Sequence, residues 1–381
     1  MSGVALALLL VRGLLRNHST RLLWGGGGWN RQYGGRIAFV AFRQGKGGAQ
    51  LRLRTTKLVT LLICAVVALT LVAPGCAVSK AEYPDKAITL VCPWGAGGGT
   101  DRISRYLADK MSVELGQPVA VINKTGGNGA VGHNAGALAS PDGYTICMST
   151  WELSILRHMG WSDIAYDNVR GVALINKDAA GLLVHPEDAA ANGWENASDW
   201  IEYVKKTPGL QVSGTGTGGV WHVALLGMLA EAGVGPDVIE WLPSKGAAEG
   251  ITWLLGKHID AVTCSIVEAG PQIEAGTLVP LATMSAERLP AFPDIPTLKE
   301  VGIDWELGAW RGITVPKDTP DDVVNTLHTA IKTILDSKDW QDWMSEQGFG
   351  QLYLGPEDFD AFMAEDYEAA ERLLKAGGLI S

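Results

Sequence analysis

The chain is expected to fold as an α/β protein of two lobes, with helices laid on largely parallel sheets. Three observations predict this. Short apolar runs of strand length alternate with helical patterns throughout the last 300 residues. Two glycine-rich loops, at 93–101 and 213–219, each lead a short apolar run into a helical pattern. Three hundred residues also suffice for an ample core and for division into two lobes.

Taken in order, a strand at 88–92 enters the first loop, and a helix at 102–115 leaves it. Ile103, Tyr106, Leu107 and Met111 recur there at the spacing of one buried helix face. A strand at 119–123, a helix at 129–139 and strands at 145–149 and 180–184 follow. Asn196, Ser198 and Asp199 cap a helix at 197–207. The strand 210–213 enters the second loop and the helix 221–232 leaves it. Strands at 238–242, 261–265, 279–284 and 311–315 then alternate with helices at 247–255, 267–275 and 297–301, the last fed by a Pro293 to Pro296 turn. Helices at 321–335, 338–347 and 356–376 close the chain, two of them announced by Pro320 and Pro356. No fixed-period repeat occurs.

Charge is distributed unevenly. The first acidic residue is Glu82, and eleven Lys and Arg precede it. From there on, 20 cations remain against 41 acids, a net charge of −21. The 15-residue run 58–72, preceded by Arg52, Arg54 and Lys57, reads as the core of a secretory signal peptide and is short for a spanning helix. A retained membrane anchor is the alternative. Gly75-Cys76 resembles a bacterial lipoprotein cleavage site, with Ala73 and Pro74 departing from that pattern, so Cys76 is either lipidated or not. Residues 1–50 are Gly-rich and acid-free and are expected to be an unstructured leader or an upstream mis-start, with 51–81 the signal segment. Cys92, Cys147 and Cys264 are scattered without CxxC spacing and read as small core residues.

The chemistry resides in the loops. Trp94, Gly95, Ala96, Gly97, Gly98, Gly99, Thr100 and Asp101 form the first. A glycine loop at a helix start exposes backbone N–H groups at the positive end of the helix dipole, a ready anion site. This loop lacks both the dinucleotide pattern and the Gly-Lys-Ser/Thr ending of a triphosphate loop. Asp101 reads either as a helix-start acid or as a ligand contact. Ser213, Gly214, Thr215, Gly216, Thr217, Gly218 and Gly219 form the second loop. It satisfies G-x-G-x-x-G with Glu240 about 20 residues on, but it is not at a domain start and the chain is exported, so a dinucleotide is not expected. Trp221 and His222 stand at its mouth. The histidines form no metal or catalytic set, and no cofactor or metal is expected. The acidic body excludes nucleic acid.

Longer segments resemble a known family. Tyr83-Pro84-Asp85-Lys86-Ala87-Ile88, the first loop, Leu115-Gly116-Gln117-Pro118, Ser140-Pro141-Asp142-Gly143-Tyr144, the span 214–222, Pro293-Asp294-Ile295-Pro296 and Trp310-Arg311-Gly312 are similar to segments of tripartite tricarboxylate transporter substrate-binding proteins of the Bug type, in the same order. The resemblance implies a type II periplasmic-binding-protein fold, two lobes with a ligand cleft between them: 82–184 with 305–381, and 185–304. It implies a non-enzymatic receptor, periplasmic or lipid-anchored, that holds a small carboxylate through backbone N–H groups of both loops and hands it to a two-subunit membrane permease. A monomer is expected. A secreted enzyme acting on a small carboxylate or nucleotide-like anion is the alternative. Ser149, Thr150, Trp151 and Glu152 would line the cleft, with Lys245, Gly246 and Ala247 approaching from the second lobe. Trp94 and Trp221 stand where many members have Phe and Pro. Glu152 either selects a ligand carrying an ammonium or hydroxyl group or is paired within the protein. The cleft is expected to be locally positive through two helix N-termini, with Arg157, Lys245 or Arg311 as additional cations.

Overall fold

The computed structural model describes residues 83–381. The leader, the signal-like segment and Cys76 lie outside the described residues. Among the described residues no helix is long and apolar enough to cross a membrane.

The first half of the sheet is built from β1 (Ile88–Cys92), β2 (Val119–Asn123) and β3 (Thr145–Thr150). β1 pairs in parallel with both neighbours. Helix α1 (Gly99–Glu114) buries Ile103, Leu107 and Met111 against this sheet, on the face its spacing predicts. It starts three residues before the expected position, because Gly99 is already helical and the loop itself supplies the first turn. α2 (Ala130–Ala137) covers β3.

β4 (Val169–Val184) is a 16-residue strand of which sequence patterning found only the last third. Arg170, Asn176, Lys177 and Asp178 interrupt its apolar run, yet Asn176 and Asp178 are buried. They are buried because β9 (Gly308–Pro316) pairs antiparallel along β4 with Asn176 opposite Arg311. The polar residues of one strand satisfy the cation of the other.

Past β4 the chain forms α3 (Pro186–Asn192), α4 (Ala197–Lys206), β5 (Leu210–Ser213), α5 (Val220–Glu231), β6 (Ile239–Trp241), α6 (Ala247–Leu255) and β7 (Ala261–Ser265). Asn196 caps α4 by accepting from Ser198 and Asp199 N–H, as expected. The expected helix at 267–275 is a tight turn, Ile266–Ala269, followed by the short α7 (Gly270–Glu274). β8 (Val279–Thr283) precedes β9, and α8 (Asp321–Asp336), α9 (Lys338–Glu346), β10 (Gln351–Leu354) and α10 (Pro356–Ala376) complete the chain. The mostly exposed β10 and the seven-residue α3 carried too little apolar pattern to be anticipated.

The sheet order is β2-β1-β3-β9-β4-β7-β5-β6, with β8 and β10 also bonded to β4. The expectation of largely parallel sheets needs correction. β1, β2 and β3 pair in parallel, as do β5, β6 and β7, but every pairing of β4 and β9 is antiparallel. These two strands therefore stitch two parallel units into one mixed sheet. Each unit has its own core: Ile88, Leu90, Ile103, Ile146 and Leu327 in one, Leu182, Trp200, Leu225 and Val262 in the other. A fully buried Leu or Ile contributes about 1.5–3 kcal/mol to holding such a core. Cys92, Cys147 and Cys264 are free and buried.

Candidate functional site

Three helix N-termini converge on one cavity of about 180 Å³: α1 through Gly98, Gly99 and Thr100, α5 through Val220 and Trp221, and α6 through Gly246, Ala247 and Ala248. Trp94, Thr150, Thr215, Ala309 and Arg311 fill in the wall, together with Glu152, Glu249 and Glu268. The first N–H groups of a helix have no intrahelical acceptor, so each terminus attracts negative charge.

Two of the three termini are already answered from within the protein. Gly99 N–H donates to Glu268 Oε1 at 2.8 Å. Val220 N–H donates to Glu152 Oε1 at 3.2 Å, while Glu152 Oε2 accepts from the Thr150 hydroxyl at 2.6 Å. Glu152 thus links the start of α5 to the Thr150 hydroxyl. The third terminus, α6, has Gly246 at its cap position with no side-chain cap, and Glu249 accepts instead from Lys245 N–H at 2.7 Å.

Arg311 anchors the buried end of the cavity. It donates from Nη1 to Asn176 Oδ1 and Asp178 Oδ2, both at 2.5 Å, and from Nε to Thr100 Oγ1 at 2.9 Å. Its Nη2 lies 3.7 Å from Glu268. Burial pushes the carboxyl of Glu268 up from the usual range, and Arg311 and the Gly99 N–H pull it part of the way back. Burial likewise raises Glu152, opposed by Thr150, Val220 N–H and Arg311. Thr215 Oγ1, on a lining residue, is itself buried away from the cavity surface and has no hydrogen-bond partner.

Of the residues expected at the site, Trp94, Gly95, Ala96, Gly98, Gly99 and Thr100 line the cavity from the first loop. Thr150, Glu152, Thr215, Trp221 and the run Lys245, Gly246, Ala247 join them. The others face elsewhere, and each has a reason. Gly97 adopts a left-handed φ of 85° and turns its N–H to Asp101 Oδ2 at 2.9 Å. Asp101 is buried, and also accepts from Arg105 and Asn123, which makes it a brace of the loop. Ser149 Oγ meets Thr314 Oγ1 at 2.6 Å between β3 and β9, and Trp151 is core.

The second loop departs further from expectation. Ser213 Oγ donates to Leu242 O at 2.6 Å, and Gly214 packs against the Thr263 carbonyl, where a Cβ would not fit. Gly216 lies under Asn128, whose Nδ2 donates to Thr217 O at 2.7 Å. Gly219 N–H returns to Gly216 O at 3.0 Å. Gly218 N–H donates to His222 Nδ1 at 2.9 Å, so that nitrogen is an acceptor and has no proton to offer an anion. Arg157 pairs with Asp167 at 2.6 Å and takes no part in the cavity. Lys245 and Arg311 share the wall with three glutamates, Glu152, Glu249 and Glu268.

Sequence reading missed Val220, Ala248, Glu249, Ala309 and above all Glu268. Glu268 sits 169 residues from Gly99, in a segment without a motif, and no local signal links the two. Among the described residues no group of three His, Cys, Asp or Glu is placed to hold a metal ion.

Two α/β units joined by crossing strands, with a small cavity at their helix N-termini, define a solute-binding protein of the periplasmic type. The chain belongs to the tripartite tricarboxylate transporter receptor family, whose pattern it matches over residues 103–379. A TctC solute-binding protein from Polaromonas is 33% identical, with a TM-score of 0.59 over 77% of this chain and 99% of that one. MatC from Rhodopseudomonas palustris, solved with bound malate, is 25% identical with a TM-score of 0.68, covering 77% of this chain and 100% of its own. The R. palustris protein Rpa4515, solved with adipate, is also 25% identical, with a TM-score of 0.72 over 78% and 99%.

Proposed function

We propose that the cavity is the solute site of an exported receptor, that its ligand is a small carboxylate, and that the two glycine loops close around it. The observation that carries this reading is the convergence of three helix N-termini on one cavity, with that of α6 lacking a side-chain cap. The carbonyl of Thr215 accepts from Ser244 N–H at 3.1 Å, tying the second loop to the segment that enters α6. Open helix N–H groups suit a carboxylate oxygen. Malate in MatC and adipate in Rpa4515 support the ligand class.

In this reading the lobes divide as 82–184 with 305–381 and as 185–304. The receptor works as a monomer at the outer face of the cytoplasmic membrane, free or held by Cys76, and passes its ligand to a two-subunit permease. It releases the ligand unchanged, without catalysis. Capture acts at short range, since a body of −21 repels an anion from afar. Affinity should then change less than about tenfold between roughly 50 and 500 mM salt.

Thermal-shift screening of the full chain against carboxylates, malate and adipate included, tests the reading. A ligand at about 100 times its dissociation constant should add roughly 2.7 kcal/mol of stability. Mass analysis should recover the bound acid stoichiometrically and intact. Turnover without retention would establish an enzyme instead.

A further inference from the structure

We propose that this receptor takes a monocarboxylate with an apolar body in preference to a dicarboxylate, because Glu152 and Glu268 already place the protein's own carboxylates on two of the three helix starts at the cavity. The inference rests on the reading of the cavity as the solute site and names the class of acid within it.

The hydrogen bonds at the cavity carry it. At α1 and α5 an internal carboxylate accepts the first helical N–H: Glu268 that of Gly99 at 2.8 Å, Glu152 that of Val220 at 3.2 Å. Each also offsets the positive end of the helix it meets. At α6 the one acid of the first turn, Glu249, turns to the Lys245 N–H instead. Among the described residues no side chain accepts from the N–H groups of Gly246, Ala247 or Ala248. One of three starts is left for a ligand carboxylate.

The cations of the wall are engaged as well. Arg311 is held by Asp178, Asn176 and Thr100. Lys245 has its Nζ 3.8 Å from Glu249 and a side chain that is 78% exposed. A second ligand carboxylate would enter a cavity of about 180 Å³ whose wall already carries three glutamates. Like charge at such range disfavours the newcomer.

The same wall sets the rest of the ligand. Its hydroxyls are withdrawn: Thr100 Oγ1 accepts from Arg311, Thr150 Oγ1 donates to Glu152, and Thr215 Oγ1 is closed off. Trp94, Val220, Trp221 and Ala309 supply apolar surface. The Trp94 indole lies beside the open helix start, since a Cβ on Gly246 would be 3.7 Å from Trp94 Cε3. Its Nε1 is spent on Thr150 Oγ1 at 3.2 Å. A carboxylate at the start of α6 therefore has a hydrocarbon neighbour for its body.

Calorimetry on the full chain with matched probes tests this: pentanoate against glutarate, and hexanoate against adipate, each pair equal in carbon number. The monocarboxylate of at least one pair should bind about tenfold or more tightly than its dicarboxylate. Hexanoate should also bind about tenfold or more tightly than acetate. E152Q and E268Q each remove a charge and keep an acceptor for the helix N–H, so each should shrink the ratio within a pair by about threefold or more. A smaller preference in both pairs, or the reverse, overturns the proposal while the solute site stands. So does hexanoate binding no tighter than acetate, or a ratio unchanged in both variants. Failure of every acid to bind overturns the site and the proposal together. Should neither variant fold, the wild-type ratios decide alone.

Discussion

Glu268 accepts the Gly99 N–H at 2.8 Å, so a carboxylate from one parallel unit occupies the start of the helix that leaves the first glycine loop of the other. A Cβ on Gly99 would lie 2.8 Å from Glu268 Oε1 and 3.0 Å from Arg311 Nη2. Gly99→Ala is therefore expected to cost about 1–3 kcal/mol by overpacking a buried ionic cluster. Glu268→Ala in the same chain should relieve part of that loss. Urea denaturation of both single variants and the double variant measures the coupling, and strict additivity would contradict it.

Thr215→Val separates binding from stability. It replaces a buried hydroxyl without a partner by a methyl of the same shape, so stability should hold or rise by up to about 1 kcal/mol. Carboxylate affinity should stay within about threefold, since the hydroxyl is closed off from the cavity. Thermal melts and calorimetry on one preparation show whether stability moves while affinity holds.

Arg311→Met should be among the most damaging substitutions in the chain. It strips the cation from Asp178, 2.5 Å away, and leaves Glu268 without its main counter-charge. The expected loss is about 3–5 kcal/mol. Asp178→Asn in addition should recover a measurable part of it, read as a higher urea midpoint than the single variant.

Acid should weaken the fold through two histidines. His133 Nε2 accepts the Thr150 N–H at 3.1 Å and His222 Nδ1 accepts the Gly218 N–H at 2.9 Å, so protonation abolishes each bond. Burial lowers both from 6.5 to about 4. A lowered histidine binds fewer protons folded than unfolded. Its contribution is complete above pH 6.5 and is lost as pH falls towards 4, up to about 3 kcal/mol each. Glu152 and Glu268, raised by burial, act in the opposite sense above 4.5 and offset part of the loss. His222→Asn keeps the acceptor and cannot titrate, so its urea midpoint should vary less across this range than that of the wild type.

What the sequence determined by itself was local. The strand-loop-helix units around both glycine loops, the face of α1 carrying Ile103, Leu107 and Met111, and the Asn196 cap all follow from spacing and from residues a few positions apart. The first loop also led to Trp94, Gly95, Ala96, Gly98, Gly99 and Thr100 on the wall of the cavity, and the family resemblance to Lys245, Gly246 and Ala247. Tertiary structure decided which loop groups face the cavity and what balances them. The length of β4 was hidden because its polar residues look like a strand end until Arg311 is set opposite Asn176. The second loop was expected to present its N–H groups, yet folding spends those of Gly218 and Gly219 on His222 and Gly216. Glu268 was silent for a related reason. A lone acid in an unremarkable segment acquires meaning only when the fold buries it against Gly99 and Arg311, and burial is a property of the whole chain, not of the residues beside it.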